Sequence, residues 1–205
     1  MTEFEKMSSG KIFNTTVPEL QKKLLRVHNL CYEYNRTFED EAAKRREILD
    51  KLLPNRGENV FLQGPIFFDY GENTIIGDNT FINYNFTVLD SAYVRIGKNV
   101  FIGPNVSLMT ANHALRYQER NLTVNEDGSI NDREFAKAIT IGDNCWLASN
   151  VTVIGGVKIG NGCVIGAGSV VTRDIPDNCL AVGNPCKVIR KITEQDSLNL
   201  RTDLL

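Results

Sequence analysis

The sequence predicts a mainly β protein, a solenoid of hexapeptide repeats closed at one end by an N-terminal α-helical cap. Three observations carry this. Branched apolar residues recur every six positions, through Ile141, Leu147, Val153, Ile159, Ile165 and Val171. A small residue often follows directly, as at Gly77, Gly97, Gly103, Gly142, Ala148, Gly160 and Gly166. Residues 1–57 break that pattern and show helical spacing instead. A step of six fits neither the 3.6 of a helix nor the strict two of a long strand. It suits short strands closed by tight turns, as in β-helices.

The elements follow in chain order. Leu20, Leu24, Val27 and Cys31 predict a helix from Pro18 to Asn35, with Pro18 suited to a first helical position. Ala42, Ala43, Ile48 and Leu52 predict a second from Glu39 to Leu53, ended by Pro54, Asn55 and Gly57. Residues 1–57 are thus expected to cap the solenoid, because an exposed coil end is a sticky strand edge. Repeats are expected over residues 58–192, with the same beat through Ile76, Ile82 and Val88 and again through Ile96, Ile102 and Leu108. A side spans at most about 20 Å. Three sides make a coil of about eighteen residues, with each aliphatic residue stacked on its copy one coil later. Residues tolerant of positive φ mark the turns, as in Gly97-Lys98-Asn99 and Gly142-Asp143-Asn144. The beat is expected to break once, at a polar stretch ejected as a loop at about residues 109–138; loops of that length are functional or disordered. Residues 193–205 read as a charged tail.

Composition narrows the class. A formal charge of −2 over 205 residues gives no sign of a nucleic-acid partner, and no run of eighteen apolar residues suggests a membrane one. The opening Met1-Thr2-Glu3-Phe4 lacks a signal-peptide layout, and the five cysteines form no CxxC pair. Reduced thiols in a cytoplasmic protein are expected.

Specific blocks add a resemblance. Ile141-Gly142-Asp143-Asn144-Cys145-Trp146, Val164 to Thr172, and Gly183-Asn184-Pro185 through Arg190 resemble hexapeptide acyltransferases. Asp69-Tyr70-Gly71, Asn83-Tyr84-Asn85-Phe86 and Leu89-Asp90 narrow this to the maltose and galactoside O-acetyltransferases, over about residues 6–192. The resemblance implies a left-handed parallel β-helix, a homotrimer with active sites between subunits, and acetyl transfer from acetyl-CoA to a sugar hydroxyl such as one of maltose or glucose.

The chain has two histidines. His28 reads as a cap residue on the surface or in packing. His113 opens the ejected loop and matches the family's catalytic histidine. A sugar hydroxyl is a poor nucleophile until a base takes its proton, and imidazole titrates near working pH. Glu134, at the loop's far end, aligns with a glutamate near the acceptor; it orients His113, binds the sugar, or is a solvated charge. Asn83, Asp69 and Asp90 match acceptor-site positions, with turn capping the alternative for Asp69. Two carboxylates of the galactoside enzyme are replaced by Thr15 and Ser91, which weakens any transfer of sugar identity.

For the donor, the resemblance implies Trp146, Ser149, Ala167, Thr172, Arg173, Lys187 and Arg190. Backbone N–H groups near Ser149 and Ala167 would meet pantetheine or the thioester oxygen. Arg173, Lys187 and Arg190 would face CoA phosphates, or be ordinary solvated surface. Trp146 flanks the pantetheine channel or packs between subunits. No metal is required, and a zinc hydratase would need three histidine ligands. An amino acid, amine or antibiotic acceptor, and a non-catalytic scaffold, remain the alternatives.

Overall fold

A computed structural model describes residues 1–203. Its centre is a three-sided solenoid of parallel strands. The first face stacks Thr74–Ile76, Val94–Ile96, Ile139–Ile141 and Lys158–Ile159. The second stacks Phe61–Leu62, Phe81–Ile82, Phe101–Ile102, Trp146–Leu147, Val164–Ile165 and Cys179–Val182, marking about six turns. The third stacks Ile66–Phe68, Phe86–Leu89, Ser107–Met109, Thr152–Ile154 and Val170–Val171.

The six-residue beat is the core. Ile76, Ile96, Ile141 and Ile159 stack in register on the first face. Ile82, Ile102, Leu147 and Ile165 do so on the second, and Val88, Leu108, Val153 and Val171 on the third. None is more than 2% exposed. Each buried side chain of this kind is worth about 1.5–3 kcal/mol, so the repeated position is the one that holds the coils together.

Two of the three corners are turned alike in three successive coils. Asn79, Asn99 and Asn144 turn the first at φ of 57, 54 and 57°, and Asn85, Asn105 and Asn150 turn the second at 57, 60 and 59°. Asparagine tolerates this left-handed region, and its amide also hydrogen-bonds the asparagine one coil on, as in Asn99 to Asn144 (3.2 Å) and Asn85 to Asn105 (2.9 Å). The glycine before the turn is dictated by the neighbouring coil: a Cβ on Gly97 would lie 2.7 Å from the backbone N of Asp143.

The third corner departs from the expected eighteen-residue coil. Tyr70 meets Asp90 across 20 residues, whereas Asp143 meets Asn161 across 18. The extra residues lie at this corner, where Leu89 to Tyr93 bridge two faces. The beat therefore slips between Val88 and Ile96 as well as at the loop.

The loop is ordered by partners distant in sequence. Ala111–His113 pairs antiparallel with Arg133–Ala136, which pairs in turn with Phe13–Asn14. Between them lie a short helix, Tyr117–Arg120, and a hairpin of Thr123–Val124 with Ile130–Asn131.

The N-terminal segment forms three helices: α1 (Glu3–Ser8), α2 (Pro18–Tyr34) and α3 (Ala42–Leu52). The second and third match the expected helices; α1 is additional, with Thr2 and Glu5 making a capping box. The cap occupies the edge of the first coil with donors and one acceptor. Asn35 bonds both the N–H and C=O of Ile66 (2.7 and 2.9 Å), the Tyr34 hydroxyl donates to Leu62 O (2.6 Å), and buried Arg45 donates to Leu62 O and Gln63 O (2.6 and 2.8 Å). These contacts remove the unpaired edge that would otherwise template association. At the other end, Lys187–Lys191 folds back antiparallel on Cys179–Val182.

All five cysteines are free and buried. Cys145, Cys163 and Cys179 continue an inner corner column begun by Thr80 and Val100. Thr80 donates to Gly97 O (3.0 Å), Cys145 to Gly160 O (3.0 Å) and Cys163 to Pro176 O (3.1 Å). Hydroxyl and thiol thus fill one role, a small side chain that bonds the next coil. Burial pushes the Cys145 thiol up to about 11, which disfavours the reactive thiolate.

Candidate active site

The widened third corner gathers the titratable groups. The ejected loop brings its two ends together as antiparallel strands, so His113 and Glu134 lie opposite each other in register. His113 Nε2 stands 3.5 Å from Glu134 Oε1. The imidazole is half exposed, whereas the carboxylate is only 17% exposed. Burial raises the Glu134 carboxyl above its ordinary range; His113 pulls it back, and Asp132 and Asp69 push it further up. A half-exposed base backed by a shielded carboxylate can take a proton from a ligand while the carboxylate fixes the ring and balances the imidazolium. A cavity of about 300 Å³ opens beside Glu134, lined by Ile12, Ala114, Glu119, Arg133 and Phe135.

Asp69 and Asp90 sit on successive coils at this corner and differ sharply. Asp90 is fully buried; one oxygen accepts from Tyr70 N (2.8 Å) and the other from the Thr74 hydroxyl (2.8 Å). Burial raises its carboxyl to about 6. The expected sugar contact by Asp90 is therefore corrected: both oxygens are spent inside the wall, and the residue ties the wide corner together. Asp69 keeps a 22% exposed side chain, and His28 Nε2 lies 3.5 Å from its Oδ1. Burial raises Asp69, and the His28 contact opposes it. The Tyr70 phenol, buried below, is driven well above its normal value by burial and by Asp69, Glu134 and Asp90.

The remaining expected residues separate by corner. Thr172 and Arg173 are exposed at the third corner of the last coil. Ser149 and Ala167 fall in register at the second corner, and Asn83 stands at the same corner one position earlier in its coil. The strand Phe86–Leu89 divides the two corners, a gap of roughly 13 Å at 3.3 Å per residue. Asn83 spends its side-chain oxygen on Tyr84 N (2.8 Å), and Trp146 is 52% exposed on the second face. Lys187 and Arg190 lie on the folded-back strand, where Arg190 is bidentate to Asp196 (2.6 and 2.8 Å). Thr15 donates to Asp132 (2.7 Å), which returns a carboxylate near the position where one is missing.

Sequence reasoning reads His28 as a surface or packing residue and gives no reading of Asp132. Their contacts, with Asp69 and Thr15, join residues more than forty apart, and no local spacing records such a pairing. A cleft of about 880 Å³ between α3 and the first coil lies away from these groups. Within it Arg56 is paired with Asp50, and Asp78 accepts from Glu58 N. Among the described residues, no group of three or more His, Cys, Asp or Glu side chains could hold a metal, and no helix is long and apolar enough to cross a membrane.

Residues 6–57 match the maltose acetyltransferase hexapeptide capping motif, residues 138–173 the bacterial transferase hexapeptide, and residues 93–109 the hexapeptide repeat of succinyl-transferase. The galactoside O-acetyltransferase of Escherichia coli K12 is 40% identical over 192 residues, 94% of this chain and 90% of that one. The chain belongs to the maltose and galactoside O-acetyltransferase family. It is an acyltransferase, and the solved structures agree. A maltose O-acetyltransferase from Clostridium difficile 630 superposes with a TM-score of 0.87 at 43% identity, over 95% of this chain and 99% of that one. A galactoside acetyltransferase in complex with coenzyme A gives 0.86 at 39%, over 96% and 94%.

Proposed function

We propose that the enzyme moves an acetyl group from acetyl-CoA directly to a hydroxyl of a sugar such as maltose or glucose, with His113 as general base. The observation that carries this reading is the in-register His113–Glu134 pair, a half-exposed imidazole backed by a shielded carboxylate. His113 removes the hydroxyl proton while the oxygen attacks the thioester carbonyl carbon. The tetrahedral intermediate collapses, the C–S bond breaks, and the imidazolium returns its proton to the CoA sulfur. Glu134 orients the ring and offsets its charge. No acyl-enzyme forms; the cysteines are buried thiols without a partner base.

The two-corner arrangement supports a site completed between copies in a homotrimer. One subunit supplies the third corner with His113, Glu134, Asp69, Thr172 and Arg173. Its neighbour supplies the second corner with Asn83, Ser149 and Ala167, and backbone N–H groups there meet the thioester oxygen. Exposed Phe61, Phe101 and Trp146 in register along the second face give such a neighbour an apolar surface. Lys187 and Arg190 face the CoA phosphates, Arg190 by exchanging Asp196 for phosphate.

The test is CoA release from acetyl-CoA against maltose, glucose, galactosides, serine and chloramphenicol, with wild type and His113→Ala in parallel. Turnover on a sugar that collapses in the variant supports the reading. Turnover only on serine or chloramphenicol assigns a different acceptor, and undiminished turnover in the variant removes His113 as base.

A further inference from the structure

We propose that His28, from the helical cap, is a positioning residue that holds Asp69 for a second acceptor hydroxyl and so helps set acceptor specificity. This rests on the acceptor site lying at the third corner, as in the reading above. The two carboxylates of that corner make the case. Asp90 has both oxygens satisfied within the wall and none of its surface exposed. Asp69, one coil earlier, has a single side-chain partner among the described residues, the His28 imidazole at 3.5 Å. Its other oxygen is left without a partner on a partly exposed side chain. Asp69 precedes Tyr70, which packs with Phe13 and Ala136 of the small sheet that carries His113 and Glu134, so a half-shielded carboxylate with spare acceptor capacity lies at the same corner as a ligand bound at His113.

His28 supplies the constraint. It lies on α2, whose packing against the first coil is set by Val27, Leu30, Cys31 and Tyr34, so its ring is carried on a rigid element. The pair lines a crevice of about 270 Å³ whose other walls are Cys31, Tyr32, Phe67, Phe68, Leu89 and Asn35, the last with its amide spent on Ile66. That wall offers Asp69 little polar support, so without the imidazole the carboxylate is free to rotate. The corner then carries two histidine–carboxylate pairs. His113–Glu134 acts on the reacting hydroxyl, and His28–Asp69 receives a neighbouring one. The acceptor class this fits is a polyol with at least two adjacent hydroxyls.

The experiment is steady-state kinetics of wild type, His28→Ala, His28→Gln, Asp69→Asn and the double variant His28→Ala/Asp69→Asn on the best sugar acceptor. His28→Ala is expected to raise acceptor KM roughly 3- to 10-fold, the worth of one well-placed hydrogen bond, with kcat and acetyl-CoA KM unchanged. His28→Gln, which retains a donor, is expected to recover most of the loss. In the Asp69→Asn background, His28→Ala is expected to add nothing, because coupled residues are non-additive. Unchanged acceptor KM in His28→Ala, full additivity in the double variant, or a parallel fall in kcat overturns the proposal while leaving the acetyltransferase reading in place. A wild type that acetylates serine or chloramphenicol but no polyol overturns both.

Discussion

Two corners of the coil and the third are built on different rules. At the first and second, an asparagine in left-handed conformation turns the chain and hydrogen-bonds its copy on the next coil. At the third, coils lengthen, the loop departs, and the buried or half-buried acids Asp69, Asp90 and Glu134 collect. Repetition is possible only where each coil meets an identical neighbour. A site needs unlike groups brought together, so it occupies the corner released from the repeat. The regular corners are accordingly sensitive in stability and the irregular corner in activity.

The largest expected effect tests the irregular corner. His113→Ala should lower kcat on the acceptor by about 10²–10⁴-fold, the usual worth of general-base catalysis, with no change in thermal midpoint because the ring is exposed. A drop of less than tenfold would show that this corner does not hold the base. Next comes the regular corner. Gly97→Val should cost about 2–4 kcal/mol, measured by denaturant unfolding, since its Cβ would collide with the backbone of Asp143. A stable variant would mean the coils can separate locally, which would break the contrast.

Smaller effects sharpen it. Asn144→Ala should destabilise by about 1–2 kcal/mol, because alanine is disfavoured at positive φ, and Asn144→Gly by clearly less. Equal losses would place the effect in the side-chain ladder rather than in φ. The smallest concerns Asp90, an acid serving structure at the irregular corner. Its folded value of about 6 lies above the ordinary 3.8. The protonated form is thus favoured by folding: its contribution is fully present below the ordinary value and is lost as pH rises through about 6. Thermal midpoints of wild type and Asp90→Asn should therefore move apart in favour of wild type between pH 7 and pH 5. A constant difference would show that Asp90 does not take up its proton in that window.

What could be read without coordinates was whatever repeats locally. The hexapeptide beat determined the core column, the asparagine and glycine turns, and the place where the solenoid must release a loop, because each inward side chain faces its own equivalent one coil on; helical spacing determined α2 and α3, because their apolar residues share one face. His113 and Glu134 stood out only as loop residues matching a family pattern. Tertiary structure decided what depends on partners far apart in sequence. It placed Phe13–Asn14 beside the loop strand that aligns Glu134 with His113, buried Asp90 while leaving Asp69 open, and carried His28 from the cap to Asp69. Burial and long-range pairing are properties of the packed chain, and no periodicity records them.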